Sequence, residues 1–458
     1  MILERARPNA VREHPMAGWF AVATVCFGAF MGQLDASIVT LTFPALQAEF
    51  DAPLAAVEWV SLAYLLTLVG LVAAAGRVAD AAGRKFVYLG GFVVFTAASA
   101  ACALSPDLGW LVGFRVVQAV GAAMLQANSV ALVVTSVPRA KMRAALGVQA
   151  AAQALGLALG PALGGLFVAT VGWRWVFWVN VPVGVVAVVA GRYLLPRTRQ
   201  RTALGRFDWP GLLILAGSTT VLLVGLSGFS GLPLPVWACA GMVVASVVLM
   251  AAFVMRERRA SNPLVDLSTL RPRAVSVGLV GALCAYLVLF GPLTLFPQVL
   301  GAHGVAGLML TALPAGFALS AVFAERILPS RWSARRRGLV GGGACLVALG
   351  AVIVSPEAPV WVAGCLLLLG LGLGVFIPAN NSGIMGAFPI RAAASGGGLV
   401  NMARGLGTAL GVAVVTLCLH LGETMGVDGV RLALMALVVF AAITTGTAAV
   451  VTQPKETR

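Results

Sequence analysis

The stretch Gly156-Leu157-Ala158-Leu159-Gly160-Pro161-Ala162-Leu163-Gly164-Gly165 decides the reading of this chain. It lies inside an apolar run from about 145 to 170. As one helix that run is roughly 39 Å long at 1.5 Å per residue, enough to cross a hydrocarbon core of about 30 Å. Gly156, Gly160 and Gly164 recur at four-residue intervals, so they share one helix face and leave it flat. Gln149 and Gln153 fall on nearly the same stripe and make that face partly polar. Pro161 removes one backbone hydrogen bond where the face is barest. Close packing of two helices accounts for the glycine spacing by itself; the proline and the doubled glycine make the pattern rarer.

Outward from this stretch the chain stays apolar. It has 458 residues, 60% hydrophobic and 10% charged, with a mean hydropathy of +0.97. That composition excludes a water-soluble globular protein and predicts a helical membrane protein of many spans. Fourteen spans are expected, at about 17–43, 58–78, 86–104, 109–137, 145–170, 173–195, 209–229, 234–255, 275–299, 305–328, 338–355, 359–379, 395–420 and 430–451. The net charge of +15 does not point to nucleic acid, because the basic residues fall in short clusters between spans. Of the 31 Lys and Arg, all but Arg115, Arg174, Arg404 and Arg431 lie in the N-terminal segment, the C-terminal tail or alternate loops. By the positive-inside rule both termini are cytoplasmic, and an odd number of spans would break the alternation. The first apolar run is too long for a signal-peptide core, so no cleavage is expected.

The seven cysteines all fall within predicted spans without a Cys-x-x-Cys pair, and His14, His303 and His420 are far apart. No metal site or cofactor is expected from them. An enzyme would need a cluster of His, Asp, Glu or Cys near one interface, and no inter-span segment carries one.

Charge inside the spans is therefore the informative feature. Asp35 lies in the last third of the first span and is the only acidic residue well inside any predicted span. A carboxylate there is costly unless it finds a partner, water or a proton. Arg115 enters the fourth span about seven residues from its outer end, at a depth of roughly 10 Å, close to that of Asp35. Between the second and third spans runs Gly76-Arg77-Val-Ala-Asp80-Ala-Ala-Gly83-Arg84-Lys85, in which Gly83 can end a helix and Asp80 can pair with Arg84. Mid-span polar residues that could line a substrate cavity are Tyr64, Asn128, Gln149, Gln153, Tyr286 and Asn401, though each could equally hydrogen-bond one helix to another.

Taken in order, Leu34-Asp35, the 76–85 loop, Arg115 with Gln118, the glycine span, and Trp173-Arg174-Trp175…Asn180-x-Pro182-x-Gly184 resemble a known series. It is that of the fourteen-span drug/proton antiporter branch (EmrB/QacA type) of the major facilitator superfamily. Ser395–Gly411 is similar to that branch's thirteenth span, and 316–337 to a degenerate copy of the cytoplasmic loop. Ala81 stands where Arg is usual, and Ala119 where Gly is usual.

The resemblance implies an all-α major facilitator fold: a cytoplasmic segment 1–16, a six-helix bundle 17–195, a linker with an inserted helix pair 196–258, and a second six-helix bundle 259–458. It further implies a proton-coupled exporter of drugs or related amphipathic compounds in the cell membrane, working by alternating access. Asp35 and Arg115 would be the proton-coupling pair. The loop residues Gly76, Asp80, Gly83, Arg84 and Lys85 would form a cytoplasmic latch. Gly156, Gly160, Pro161, Gly164 and Gly165 would let the bundles close. The proton is the only coupling species expected, and a small molecule and the bilayer the only partners. A solute importer of the same superfamily is the nearest rival, because architecture does not set direction.

Overall fold

The computed structural model describes residues 7–138, 141–197, 208–260, 263–265, 267–300, 309–329, 332–354, 358–387 and 393–450. Among them the chain is helical, with no strand. Fourteen long helices follow one another: α1 Ala17–Ile38, α2 Trp59–Ala82, α3 Arg84–Ala103, α4 Leu108–Ser136, α5 Met142–Thr170, α6 Asn180–Leu194, α7 Trp209–Phe229, α8 Val236–Glu257, α9 Arg273–Leu300, α10 Ala312–Ile327, α11 Ala334–Val354, α12 Pro359–Gly386, α13 Ala393–Met425 and α14 Gly429–Val450. Thirteen helical stretches are long and apolar enough to cross a membrane. The remaining place in the series is taken by α10, whose 16 residues fall within the expected tenth span. Its neighbours at 301–308, and the side chains of Glu325 and Arg326, lie outside the described residues.

Helix breaks follow local chemistry. Asp107 caps α4 by accepting from the Trp110 amide at 2.9 Å, and Asp208 caps α7 by accepting from the Gly211 amide at 3.0 Å. Gly83 has φ of 115°, a conformation that side chains with a Cβ rarely adopt, and it separates α2 from α3 in a single residue. By contrast, Pro161 does not interrupt α5, which runs through it. Many Val, Leu and Trp side chains point outward, including Leu213, Trp237, Val247 and Val360. In a helix bundle whose solvent is lipid these are the expected outer surface.

The chain forms two units. Unit 1 comprises residues 1–50 and 59–207 and contains α1–α6. Unit 2 comprises residues 51–58 and 208–458 and contains α7–α14. The inserted pair α7–α8 is thus grouped with the second half, and α7 packs on α13. The pair is stapled at its base, where Arg256 of α8 donates to Asp208 at 2.6 and 3.0 Å. Burial there pushes the Asp208 carboxyl up, but the Arg256 guanidinium and the Gly211 amide outweigh it and hold the group below its ordinary value.

Within each unit the helices pair in one pattern. In unit 1, α1 packs on α5, α2 on α4, α3 on both α4 and α6, and α6 on α1. In unit 2 the same relations join α9 with α13, α10 with α12, α11 with α12 and α14, and α14 with α9. Such an internal repeat of six helices is the mark of many transporter folds. The α1–α5 crossing and its counterpart α9–α13 are both closed by glycine. A Cβ at Gly156 would meet the Phe30 carbonyl at 2.4 Å, and one at Gly407 would meet the Leu283 carbonyl at 2.2 Å.

Candidate functional site

Asp35 sits near the end of α1 and is fully buried. A carboxylate removed from water needs its lone pairs filled, and α4 and α6 supply the partners. Arg115 of α4 donates to Oδ2 at 2.6 Å. Gln118, one turn further along α4, donates to Oδ1 at 2.9 Å, and Asn180 at the start of α6 donates to the same oxygen at 3.2 Å. Gln118 also donates to Ser99 Oγ of α3 at 2.8 Å.

Arg115 is likewise almost fully buried, and it is not held by Asp35 alone. Its Nε donates to the Val60 carbonyl of α2 at 2.8 Å, and its Nη1 to Gln118 Oε1 at 2.6 Å. The guanidinium carbon lies 4.1 Å from the centre of the Tyr64 ring and 5.7 Å from that of Phe177. Neutral acceptors and ring faces therefore carry part of the cation's solvation. The arrangement can lose the Asp35 charge to a proton without leaving the guanidinium stranded. Every group in this cluster belongs to unit 1.

The glycine face lies directly behind the cluster. Gly156 packs on Phe30 and Leu34 of α1, Gly160 on Ser37 and Ile38, and Gly164 on Ile38 and Leu41. These contacts bracket Asp35, so the missing side chains let α5 press against the turn that carries the carboxylate. All three glycines, expected to serve closure between bundles, have their packing partner in the first helix of their own unit. Pro161 and Gly165 are buried in the same helix.

With this geometry in place, the match of residues 25–412 to the Major Facilitator Superfamily family model is decisive. The chain belongs to the major facilitator superfamily. It is therefore a multi-pass membrane transporter, not an enzyme. Among its curated relatives are the tetracenomycin C resistance and export protein of Streptomyces glaucescens, 31% identical over 89% of this chain and 78% of that one. Another is the riboflavin transporter RibZ of Clostridioides difficile (strain 630), 28% identical over 86% of this chain and 87% of that one. The crystal structure of an auto inhibited POT family peptide transporter shares the fold, with a TM-score of 0.71, 16% identity, and coverage of 97% and 99% of the two chains.

In this member of the superfamily, the loop after α2 carries the ion pair that its spacing predicts. Asp80 and Arg84 pair at 3.0 Å across Gly83. Lys85, counted with the latch loop, is fully buried. Its Nζ donates at 2.8 Å to the carbonyls of both Arg192 and Leu195, capping the C-terminal end of α6 where the backbone dipole is negative.

The polar mid-span residues do not form one group. Tyr64 is buried beneath Arg115 and belongs to the Asp35 cluster. Gln149 donates to Ser129 Oγ of α4 at 2.9 Å, a bond between helices, and Asn128 donates to the Met124 carbonyl of its own helix at 2.8 Å. Gln153 is half-buried on α5. In unit 2 Tyr286 and Asn401 are half-buried, and the Arg404 guanidinium lies 6.0 Å from the Tyr286 ring centre.

The sequence reading passed over two features. Trp173 is almost fully buried and donates to Glu49, which also pairs with Arg174 at 2.7 Å. Glu58, at the start of the second predicted span, is fully buried. Asp35 is accordingly not the only fully buried carboxylate among the described residues.

Proposed function

We propose that this transporter exports small amphipathic compounds, such as antibiotics or other secondary metabolites, in exchange for protons across the cell membrane, with both termini in the cytoplasm. The observation that carries the reading is the buried Asp35–Arg115 pair, whose cation keeps other acceptors when the pair opens. Ionised Asp35 is paired; a proton neutralises it and weakens its hold on Arg115 and on the amides of Gln118 and Asn180. Those four residues stand on α1, α4 and α6, so the proton bears on the packing of three helices at once. Alternating access then converts proton entry into substrate exit. The tetracenomycin export relative supports the direction.

Energetics narrows the cargo. One charge crossing 100 mV is worth about 2.3 kcal/mol, and one pH unit about 1.4 kcal/mol. A proton exchanged for a neutral compound draws on both terms, and one exchanged for a monocation draws on the pH term alone. One proton site of this kind therefore fits neutral, anionic or monocationic compounds better than dications.

Uptake is the second reading, because a riboflavin transporter stands among the relatives. A drug-sensitivity panel in a pump-deficient host finds the cargo, and energised inverted vesicles then decide direction. Accumulation in those vesicles, lost in Asp35→Asn, is the expected result; accumulation only in whole cells would establish uptake instead.

A further inference from the structure

The chain between α1 and α2 carries a second fully buried carboxylate with surroundings unlike the first. Leu54–Val57 forms one helical turn that packs on α7 and α13 of unit 2. Ala55, Val57 and Glu58 are fully buried. Ser227 Oγ of α7 donates to Glu58 Oε1, and Thr416 of α13 faces the same carboxyl group. Oε2 has no hydrogen-bond partner among the described residues. Neither does any Lys, Arg or His form an ion pair with Glu58 among them.

Other titratable groups nearby are few. The helix α7 has none. On α13, Cys418, His420 and Glu423 lie within two turns of Thr416, and the segment itself begins with Asp51. The His420 ring packs against Gly231 in the turn that leaves α7, where a Cβ would meet it at 3.0 Å.

A carboxyl group enclosed by hydroxyls and apolar side chains, with one oxygen unpartnered, is comfortable as the neutral acid and costly as the anion. Ser227 suits the neutral form, since a hydroxyl donates or accepts as needed. We propose that Glu58 is a proton-operated latch. With its proton, residues 51–58 dock on α7 and α13; without it, the anion seeks water and the segment lifts away. The latch goes beyond the exchange proposed for Asp35 and does not require Glu58 to carry a transported proton.

Amide hydrogen exchange of the peptide spanning 51–58, in lipid nanodiscs from mildly acidic to mildly alkaline pH, tests this without any transport readout. Failure of the latch and failure of proton-coupled export are therefore distinguishable. If opening releases one proton, protection in the parent falls about tenfold per pH unit beyond the intrinsic change in exchange rate. Glu58→Gln is expected to remove that extra slope, and His420→Asn to leave it in place. Ser227→Ala is expected to lower protection at every pH while keeping the slope, and exchange across α5 reports that each variant is folded. A parent without the extra slope, the same slope in Glu58→Gln, its loss in His420→Asn, or unchanged protection in Ser227→Ala would each overturn the proposal.

Discussion

Unit 1 and unit 2 pair their six shared helices in one pattern and close the same crossing with glycine, yet each buries a carboxylate by a different rule. In unit 1, Asp35 has a cation and two amides as partners. In unit 2, Glu58 has hydroxyls and one oxygen without a hydrogen-bond partner among the described residues. The first surroundings offer a counter-charge and donors that suit an anion; the second offer hydroxyls and apolar side chains that suit the neutral acid. A repeated scaffold therefore fixes where helices cross, and the local polar groups decide what a carboxyl group does there.

Removing the cation is the strongest way to break this comparison. Arg115→Leu leaves Asp35 buried without its counter-charge, and the cost expected for an orphaned ion is about 3–5 kcal/mol. Thermal stability in detergent should drop sharply, and the double variant Asp35→Asn/Arg115→Leu should recover most of it. Equal loss in the single and double variants would mean that the pair holds no charge worth compensating.

Overpacking the crossing comes next. Gly160→Leu forces a side chain into Ser37, where even a Cβ would overlap the hydroxyl, and overpacking costs about 1–3 kcal/mol. The disturbance should centre on the Asp35 cluster, seen as lost exchange protection in α1 and α5, while α9 and α13 keep theirs. Equal loss in both crossings would show that the units do not respond separately.

The smallest effect on stability belongs to Glu58→Gln. Because the native group is docked as the neutral acid, an amide of the same shape should change stability by less than about 1 kcal/mol near neutral pH. A loss as large as that of Arg115→Leu would show that Glu58 is held as an anion and would erase the contrast.

The two carboxylates also differ in how far the sequence exposes them. Asp35 and Arg115 stand inside long apolar runs, where a charge costs enough to demand a reason, and their similar depth predicts that they meet. Gln118 and Asn180 appear in the same motifs, but their convergence on one oxygen depends on the angles between α1, α4 and α6. Alternation of basic loops gives the fourteen-helix order, and the Asp80–Arg84 pair follows from four-residue spacing.

Glu58 gives no such signal. It lies at the end of a span, beside Trp59, where an acidic residue is ordinary. Its burial comes from Ser227, 169 residues away, and from α13. Lys85 is hidden in the same way: its burial depends on carbonyls at the end of α6, more than 100 residues on, which accept from its ammonium group. Local periodicity finds charge in the wrong place, but it cannot find a charge hidden in a permitted one.

The central claim is that Asp35 links a proton to the cargo. Its most direct test uses purified protein in liposomes, a compound identified by the sensitivity panel, and a pH gradient imposed with the membrane voltage clamped at zero. The parent should build a cargo gradient approaching about tenfold per pH unit, and Asp35→Asn should exchange cargo across the membrane without concentrating it. Concentration by Asp35→Asn to the parent's level would contradict the account.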